Sequence, residues 1–350
     1  MEKNSKIYIA GHNGMVGSAI KRNLESKGYI NIITRSFEQL DLLSEQSVSH
    51  FFSTEKPEYV VLAAAKVGGI IANNIYRAQF IYENLMIQNH VIHQSYIHGV
   101  KKLLFLGSSC IYPRMAEQPM REDALLTGIL EKTNEPYAIA KIAGIKMCEA
   151  YHSQYGCNFI SIMPTNLYGQ NDNYDLEKSH VLPALIRKML IGKYLMENDW
   201  DKLRIDLNKR PIDNVNGSFN KETILETLNK YGISITENEV TITLWGTDSP
   251  MREFLHVDDM ADSCVFLLLN YDAPDTTPSH VNAGCGEDLS IKELSEIVMK
   301  MVEYSGKVIW DFSKPDGTPR KLLDVSKLNR LGWKPRISLE EGIKKAIEAY

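Results

Sequence analysis

Short apolar runs, each closed by glycine or a polar turn, alternate in this chain with longer stretches of helical spacing. Lys6–Ala10 predicts a strand, followed by the turn Gly11-His-Asn-Gly14-Met-Val-Gly17 and a helix ending near Gly28. Asn31–Thr34 predicts a second strand, then Leu40-Asp41-Leu42 and a helix to about Ser53. Glu58–Ala65, Lys102–Leu106 and Asn158–Met163 predict further strands. Helices over about Ala78–His98 and from Glu135 to about Tyr155 separate them. Strand runs that are apolar throughout belong to sheets covered on both faces. The expected class is α/β, with a Rossmann-like doubly wound parallel sheet.

The pattern changes after the fifth run. Val181–Leu190 predicts an apolar helix. Residues 193–239 turn polar and charged, with two amphipathic stretches marked by Trp200, Leu203, Leu207 and by Ile224, Leu225, Leu228, Tyr231. Asn220 is placed to cap the second and Gly232 to end it. Val240–Trp245 and Lys307–Asp311 predict strands, Ser290-Ile-Lys-Glu293 reads as a capping box, and a last helix starts near Leu339. The expected division is a Rossmann-like domain of residues 1–172 and 247–278, and a smaller C-terminal substrate domain of 173–246 and 279–350. The second contains 193–239 as an extra segment.

Composition narrows the class. With 350 residues, 44% hydrophobic and 24% charged, the chain suits about two globular domains. A net charge of −5 without a basic stripe argues against nucleic acid as partner. Apolar runs such as Cys264–Leu269 are too short to span a bilayer, and no secretory h-region precedes the first strand. Cys110, Cys148, Cys157, Cys264 and Cys285 show no C-x-x-C spacing. That favours reduced thiols in a cytoplasmic setting over a disulfide frame or a metal site.

The turns carry the candidate chemistry. A G-x-x-G-x-x-G turn between a first strand and a first helix suits a dinucleotide pyrophosphate. The second strand ends in Arg35 rather than in an acid, which favours the 2′-phosphate of NADP over the ribose hydroxyl of NAD. Ala63, Ala64 and Ala65 let a cofactor lie close to backbone. Gly107-Ser-Ser-Cys-Ile-Tyr-Pro113 sits at the carboxyl end of the strand Lys102–Leu106, where open α/β sheets hold ligands. Tyr137 and Lys141 are four apart on a helix and share a face. The ammonium is expected to lower the phenol pKa, and such a phenol can protonate a ketone oxygen as hydride arrives.

These residues resemble the extended branch of the short-chain dehydrogenase/reductases, and within it the epimerase–reductases of GDP-4-keto-6-deoxy sugars. The resemblance rests on Leu62–Ile70, Leu106–Pro113, Asn134–Gly144, Pro164–Gly169 and Pro250–Asp259, and it runs through nearly the whole chain. It implies a reducing triad of Ser108, Tyr137 and Lys141, with Cys110 and His180 as base and acid at sugar C3 and C5. It implies NADP(H) held by Gly11, Asn13, Gly14, Met15, Val16 and Gly17, by Arg35, Asp41 and Leu42, and by Ala63–Ala65. Leu106, Gly107, Ser108 and Ser109 would also line the cofactor, as would Pro164, Thr165, Asn166 and Leu167, with Tyr137, Lys141 and His180. Cys110, Asn166, Lys188, Trp245, Arg252 and Asp316 would contact the nucleotide sugar. The thiolate at Cys110 would draw its positive neighbour from the nicotinamide or from His180. A homodimer through the helices Ala78–His98 and Tyr137–Tyr155 is implied as well.

Two features depart from that family. Asn13 and Phe37 stand where basic residues commonly meet the 2′-phosphate. His180 and Trp245 are 65 positions apart, well beyond the usual spacing. The extra segment is expected to remodel the sugar site, its rim or an oligomer contact, and a GDP-4-keto-6-deoxy-heptose becomes an alternative substrate. A 4,6-dehydratase would need an Asp-Glu pair where Ser109-Cys110 stands. A 4-epimerase would keep its NAD without net consumption, and a non-catalytic dinucleotide-binding protein would not need Ser108, Tyr137 and Lys141 together.

Overall fold

The structure is a computed structural model. It describes residues 1–236, 239–313 and 318–350, with the backbone alone for residues 70 and 71. Its central strands are β1 (Ile7–Ala10), β2 (Ile32–Ile33), β3 (Tyr59–Leu62), β4 (Lys102–Leu106) and β5 (Phe159–Pro164). Together with Val281–Ala283 they form a six-stranded parallel sheet among the described residues, in the order Val281–Ala283, β5, β4, β3, β1, β2.

The unbroken apolar strands are explained by the layers on either side. Successive side chains point to opposite faces of a strand. Ile7, Ile9, Val61, Leu104, Ile160 and Val281 therefore pack on one side, with Ala19, Ile20 and Leu24 of α1 (Met15–Ser26) and Met260, Cys264 and Leu267 of the helix Val257–Asn270. Tyr8, Val60, Leu62, Leu103, Phe105 and Phe159 pack on the other. Their partners there are Val48, Phe51 and Phe52 of α2 (Glu45–Glu55) and, beyond the short α3 (Ile70–Ile75), Val91 and Ile92 of α4 (Arg77–Ile97). Ile142, Ile145 and Cys148 of α5 (Glu135–Tyr155) complete that layer. The strand order reverses between β1 and β3, and ligands bind doubly wound sheets outside the carboxyl ends at such a point.

The chain divides into two compact units. The first is Met1–Asn171, Glu253–Asp288 and Lys321–Leu339; the second is Asp172–Arg252, Leu289–Arg320 and Glu340–Tyr350. This corrects the expected boundaries. Val281–Ala283, expected in the substrate domain, pairs with β5 and extends the central sheet. Residues 321–339 also join the first unit: Trp333 packs into the α1 face, and the amides of Arg336 and Ile337 donate to Asp259. Residues 247–252 go with the second.

In the second unit, Glu239–Trp245 pairs parallel with Lys307–Asp311 and antiparallel with Ile233–Thr236. The helix predicted to stop at Leu190 runs on from Val181 to Met196. The extra segment folds into the helices Trp200–Lys209 and Lys221–Lys230, capped by Asp199 and Asn220, with Leu203, Leu207, Ile224 and Leu228 buried. It is fixed by a buried ion pair. Arg187 Nε lies 3.2 Å from Asp206 Oδ1, and the Tyr350 hydroxyl donates to the same carboxylate at 2.9–3.0 Å. Both charged side chains are almost wholly excluded from solvent, so each depends on the other.

Candidate active site

The glycine turn after β1 is built by close contact. Gly11 has φ +86°, and a Cβ there would lie 2.6 Å from the Ala64 nitrogen at the end of β3. A Cβ on Gly17 would lie 2.2 Å from the Gly11 carbonyl oxygen. Gly14 differs: it is exposed, and the nearest protein atom to a Cβ there is 3.5 Å away. Gly14 caps α1 with no side-chain hydrogen bond, and the first turn, beginning Met15-Val16, contains no acid. The uncapped amides and the positive end of the helix dipole suit a pyrophosphate, so the turn fits the dinucleotide. Asn13 is exposed beside it.

Around the turn, the other expected cofactor residues are fixed mostly by their own bonds. Arg35 donates to the Thr34 carbonyl at 2.8 Å and is ion-paired with Glu55, so its charge is shared with an acid. Asp41 Oδ1 accepts from the Leu43 amide, and the Leu42 carbonyl meets His90 Nδ1. The Ala63 amide donates to Ala10, and Ala63–Ala65 remain partly open. The Thr165 amide donates to Ala283. Thr165 Oγ1 and Asn166 Nδ2 both donate to the Glu253 carbonyl, while Leu167, in β6 (Asn166–Tyr168), pairs with Leu255.

The residues expected to do chemistry in the first unit come together at the end of β4. Leu106 and Gly107 lead to Ser108, in an extended conformation, and Ser109–Ile111 forms one 3-10 turn whose Cys110 amide donates to Ser108 Oγ at 3.4 Å. Ser109 and Cys110 are buried. The Tyr137 ring retains some exposed surface, but its hydroxyl is desolvated, which pushes the phenol above its ordinary value, helped by the nearby Cys110 thiol, while Ser108 acts on the hydroxyl to draw it down. This corrects the expected lowering. Lys141 Nζ donates to the Leu106 carbonyl at 2.7 Å and lies 5.7 Å from the centre of the Tyr137 ring. Burial brings that ammonium down to about 8, opposed by the Cys110 thiol. The phenol is therefore held protonated, as a proton donor must be.

Cys110 is pushed up by burial and drawn back down by Lys321, the Ser108 hydrogen bond and Lys141, in that order. The cations bearing on it within this unit are thus two lysines. Lys321 was missed by the sequence reading, which looked to the nicotinamide or His180. No motif marks it, because the juxtaposition joins residues more than two hundred positions apart.

In the second unit, His180 is exposed and precedes the helix Val181–Met196. Lys188 on that helix is buried, donates to the Thr243 carbonyl at 3.3 Å and lies 5.7 Å from the centre of the Trp245 ring. Burial lowers it to about 8. Trp245 is 51% exposed, which leaves its ring available to stack on a planar ligand. Arg252 donates to the Met251 carbonyl. Asp316 lies outside the described residues. Among those described, no cluster of His, Cys, Asp or Glu suits a metal, and no helix is long and apolar enough to cross a membrane.

Other positioning residues also went unmarked in the sequence. Asn84 of α4 brackets the amide and carbonyl of Lys66 at 2.9 and 3.0 Å, fixing the loop after β3. Gln88 donates to the Ala140 carbonyl at 2.7 Å, one residue before Lys141.

A dinucleotide turn at the switch point and a Ser–Tyr–Lys cluster at the end of β4 define a nucleotide-dependent oxidoreductase of the extended type. The model of the NAD dependent epimerase/dehydratase family matches residues 7–205 and 212–284, and the chain belongs to that family. Within it the chain is similar to the GDP-L-fucose synthases. It is 52% identical to the putative GDP-L-fucose synthase 2 of Arabidopsis thaliana, over all of this chain and 93% of that protein. It is 48% identical to the GDP-L-fucose synthase of Escherichia coli K12, over 99% and 96%. Among solved structures, the GDP-mannoheptose C4 reductase MlghC of Campylobacter jejuni, with NADP bound, matches at 43% identity and TM-score 0.87, over 99% of this chain and 98% of that one.

Proposed function

We propose that this protein is an NADPH-dependent epimerase–reductase that converts GDP-4-keto-6-deoxy-D-mannose to GDP-L-fucose. The observation that carries the reading is the Ser108–Tyr137–Lys141 cluster with Cys110 two residues from Ser108, in a chain about half identical to GDP-L-fucose synthases along its whole length. The glycine turn and the ends of β3, β4 and β5 would hold NADPH, which when bound would supply the hydride for reduction at C4.

The chain's own residues do the rest. The C4 ketone acidifies the protons at C3 and C5. Cys110, as thiolate, takes such a proton, and the electron pair moves onto the C4 oxygen. Tyr137 and Ser108 donate to that oxygen and stabilise the enolate. His180 is the acid that returns a proton. In the reduction, Tyr137 gives its proton to the same oxygen and Ser108 orients the phenol. Lys141, tied to Leu106, would hold the nicotinamide ribose. Lys188, Trp245, Arg252 and Asp316 bind the GDP portion, and Asn166 contacts the sugar. The protein works in the cytoplasm as a homodimer, paired through α4 and α5, where Tyr82, Ile97, Ile139 and Tyr155 are exposed.

The test is incubation with NADPH and GDP-4-keto-6-deoxy-D-mannose in deuterated water, with the product read by NMR. GDP-L-fucose carrying deuterium at C3 and C5 is expected, and Cys110→Ser is expected to stop the labelling. Reduction without inversion, or labelling at the wild-type rate in Cys110→Ser, would overturn this assignment. The match to a mannoheptose reductase favours a second reading, C4 reduction of a GDP-4-keto-6-deoxy-heptose. A higher kcat/KM for the heptose than for the hexose would select it.

A further inference from the structure

We propose that the Tyr112 hydroxyl, held between Asn282 and a neutral His280, is the anchor that positions the Cys110 turn for proton abstraction. The proposal rests on the assignment of Cys110 as base and deepens it.

The turn's own bonds are long. The Cys110 amide reaches Ser108 Oγ at 3.4 Å, the Ile111 amide reaches the Ser108 carbonyl at 3.3 Å, and the Tyr112 amide reaches the Ser109 carbonyl at 3.5 Å. All three exceed the roughly 2.7–3.2 Å of a good N–H···O bond. The short bonds belong to the side chain that ends the turn. The Tyr112 hydroxyl donates to Asn282 Oδ1 at 2.5 Å and meets His280 Nε2 at 3.0 Å, and all three residues are buried. Tyr112 lies two residues after Cys110, so what holds its ring fixes where the turn ends.

The direction of each bond follows from the donors available. Asn282 Nδ2 donates to the carbonyls of Met120 and Asp324, at 3.0 and 3.1 Å, and a carbonyl can only accept. Asn282 Oδ1 is therefore the face turned to Tyr112, and the phenolic proton points at it. The phenolic oxygen must then accept from His280, which places the imidazole proton on Nε2. His280 Nδ1 is buried and finds no hydrogen-bond partner, so a second proton there would have no acceptor. Burial lowers this imidazole to about 4, aided by Lys327, opposed by Glu149 and aided again by Lys146.

Both anchors are fixed in turn. Asn282 lies in the strand that pairs with β5, and its amide donates to Glu122 Oε1 at 3.1 Å. The His280 carbonyl accepts from Lys327 Nζ at 2.8 Å, and the amide and hydroxyl of Ser279 both donate to Glu149 Oε1 at 3.1 Å. The weak turn is thus tied through one hydroxyl to the edge of the central sheet.

The experiment follows deuterium entry at C3 and C5 of GDP-4-keto-6-deoxy-D-mannose in the full chain, with oxidised NADP present so that no reduction occurs. Tyr112→Phe removes only the hydroxyl. Its exchange kcat is expected to fall at least about tenfold, with KM and NADPH affinity as in wild type. His280→Leu is expected to lower the same kcat, and His280→Gln, whose amide can donate to Tyr112, to restore it. That pair repeats the test if Tyr112→Phe does not fold. Nitrogen-15 NMR is expected to show His280 as the neutral Nε2–H tautomer at neutral pH. Wild-type exchange kcat in folded Tyr112→Phe, a raised KM with kcat unmoved, or an Nδ1–H imidazole overturns the proposal while leaving Cys110 as base. Wild-type exchange in Cys110→Ser instead refutes the assignment of the base itself.

Discussion

The three glycines of the first turn are expected to fail for different reasons when replaced by alanine. Gly11→Ala places a side chain at φ +86°, at a cost of about 1–2 kcal/mol, and drives its Cβ to 2.6 Å from Ala64 backbone. Overpacking against atoms that cannot rotate away costs a further ~1–3 kcal/mol. Gly17→Ala meets only the second penalty, at 2.2 Å from the Gly11 carbonyl, and recovers about 1 kcal/mol of helix propensity. Net losses of about 2–5 and about 0–2 kcal/mol follow from these terms. Gly14 has φ −74° and ψ 165°, open to any residue, with no protein atom nearer than 3.5 Å to the new carbon. The poorer cap and the stiffer unfolded chain offset to within about 0.5 kcal/mol. Gly14→Ala is therefore expected to fold like wild type, yet to bind NADPH at least about tenfold more weakly, because its methyl occupies the approach to the helix amides. Urea denaturation of each variant and fluorescence titration with NADPH measure the two effects separately. Wild-type NADPH affinity in Gly14→Ala, or wild-type stability in Gly11→Ala, would refute the reasoning.

Two further outcomes are expected. Lys188 is charged in the unfolded chain up to its ordinary 10.5 but in the folded one only to about 8, so the unfolded state holds more protons between those values. Stability relative to Lys188→Met is expected to rise by about 3 kcal/mol as pH climbs through that window, and to be flat below it; denaturation midpoints at several pH values would check this. Asp206→Ala leaves the Arg187 guanidinium buried without its anion and is expected to cost about 3–5 kcal/mol. Calorimetry should detect the loss, and an unchanged melting profile would mean that the pair does not hold the extra segment.

Much of the architecture was legible because each strand solves a local problem. Lys102–Leu106 and Glu135–Tyr155 fall where their patterns put them, since an apolar run ending at glycine and a long helix opened by Glu-Pro have few alternatives. The second strand was read too long: only Ile32–Ile33 pairs, at the sheet edge with one neighbour. The helix from Val181 outran its apolar stretch, because Lys193 and Tyr194 continue it with polar tips and Leu195 is still buried. Domain boundaries were the least legible, since Val281–Ala283 looks like any short apolar run until β5 is beside it.

The order of residues was enough to give the chemistry available: which strand end carries Ser108 and Cys110, which helix carries Tyr137 and Lys141, and where glycine must stand. Those are properties of neighbours along the chain, set by the periods of strand and helix. The charge states follow only once the chain is folded. Burial raises the phenol of Tyr137 against the expectation from Lys141 and raises the thiol of Cys110, while the Lys141 ammonium donates to the Leu106 carbonyl. A pKa depends on every group that surrounds an atom and on the water removed from it, and neither can be read from spacing.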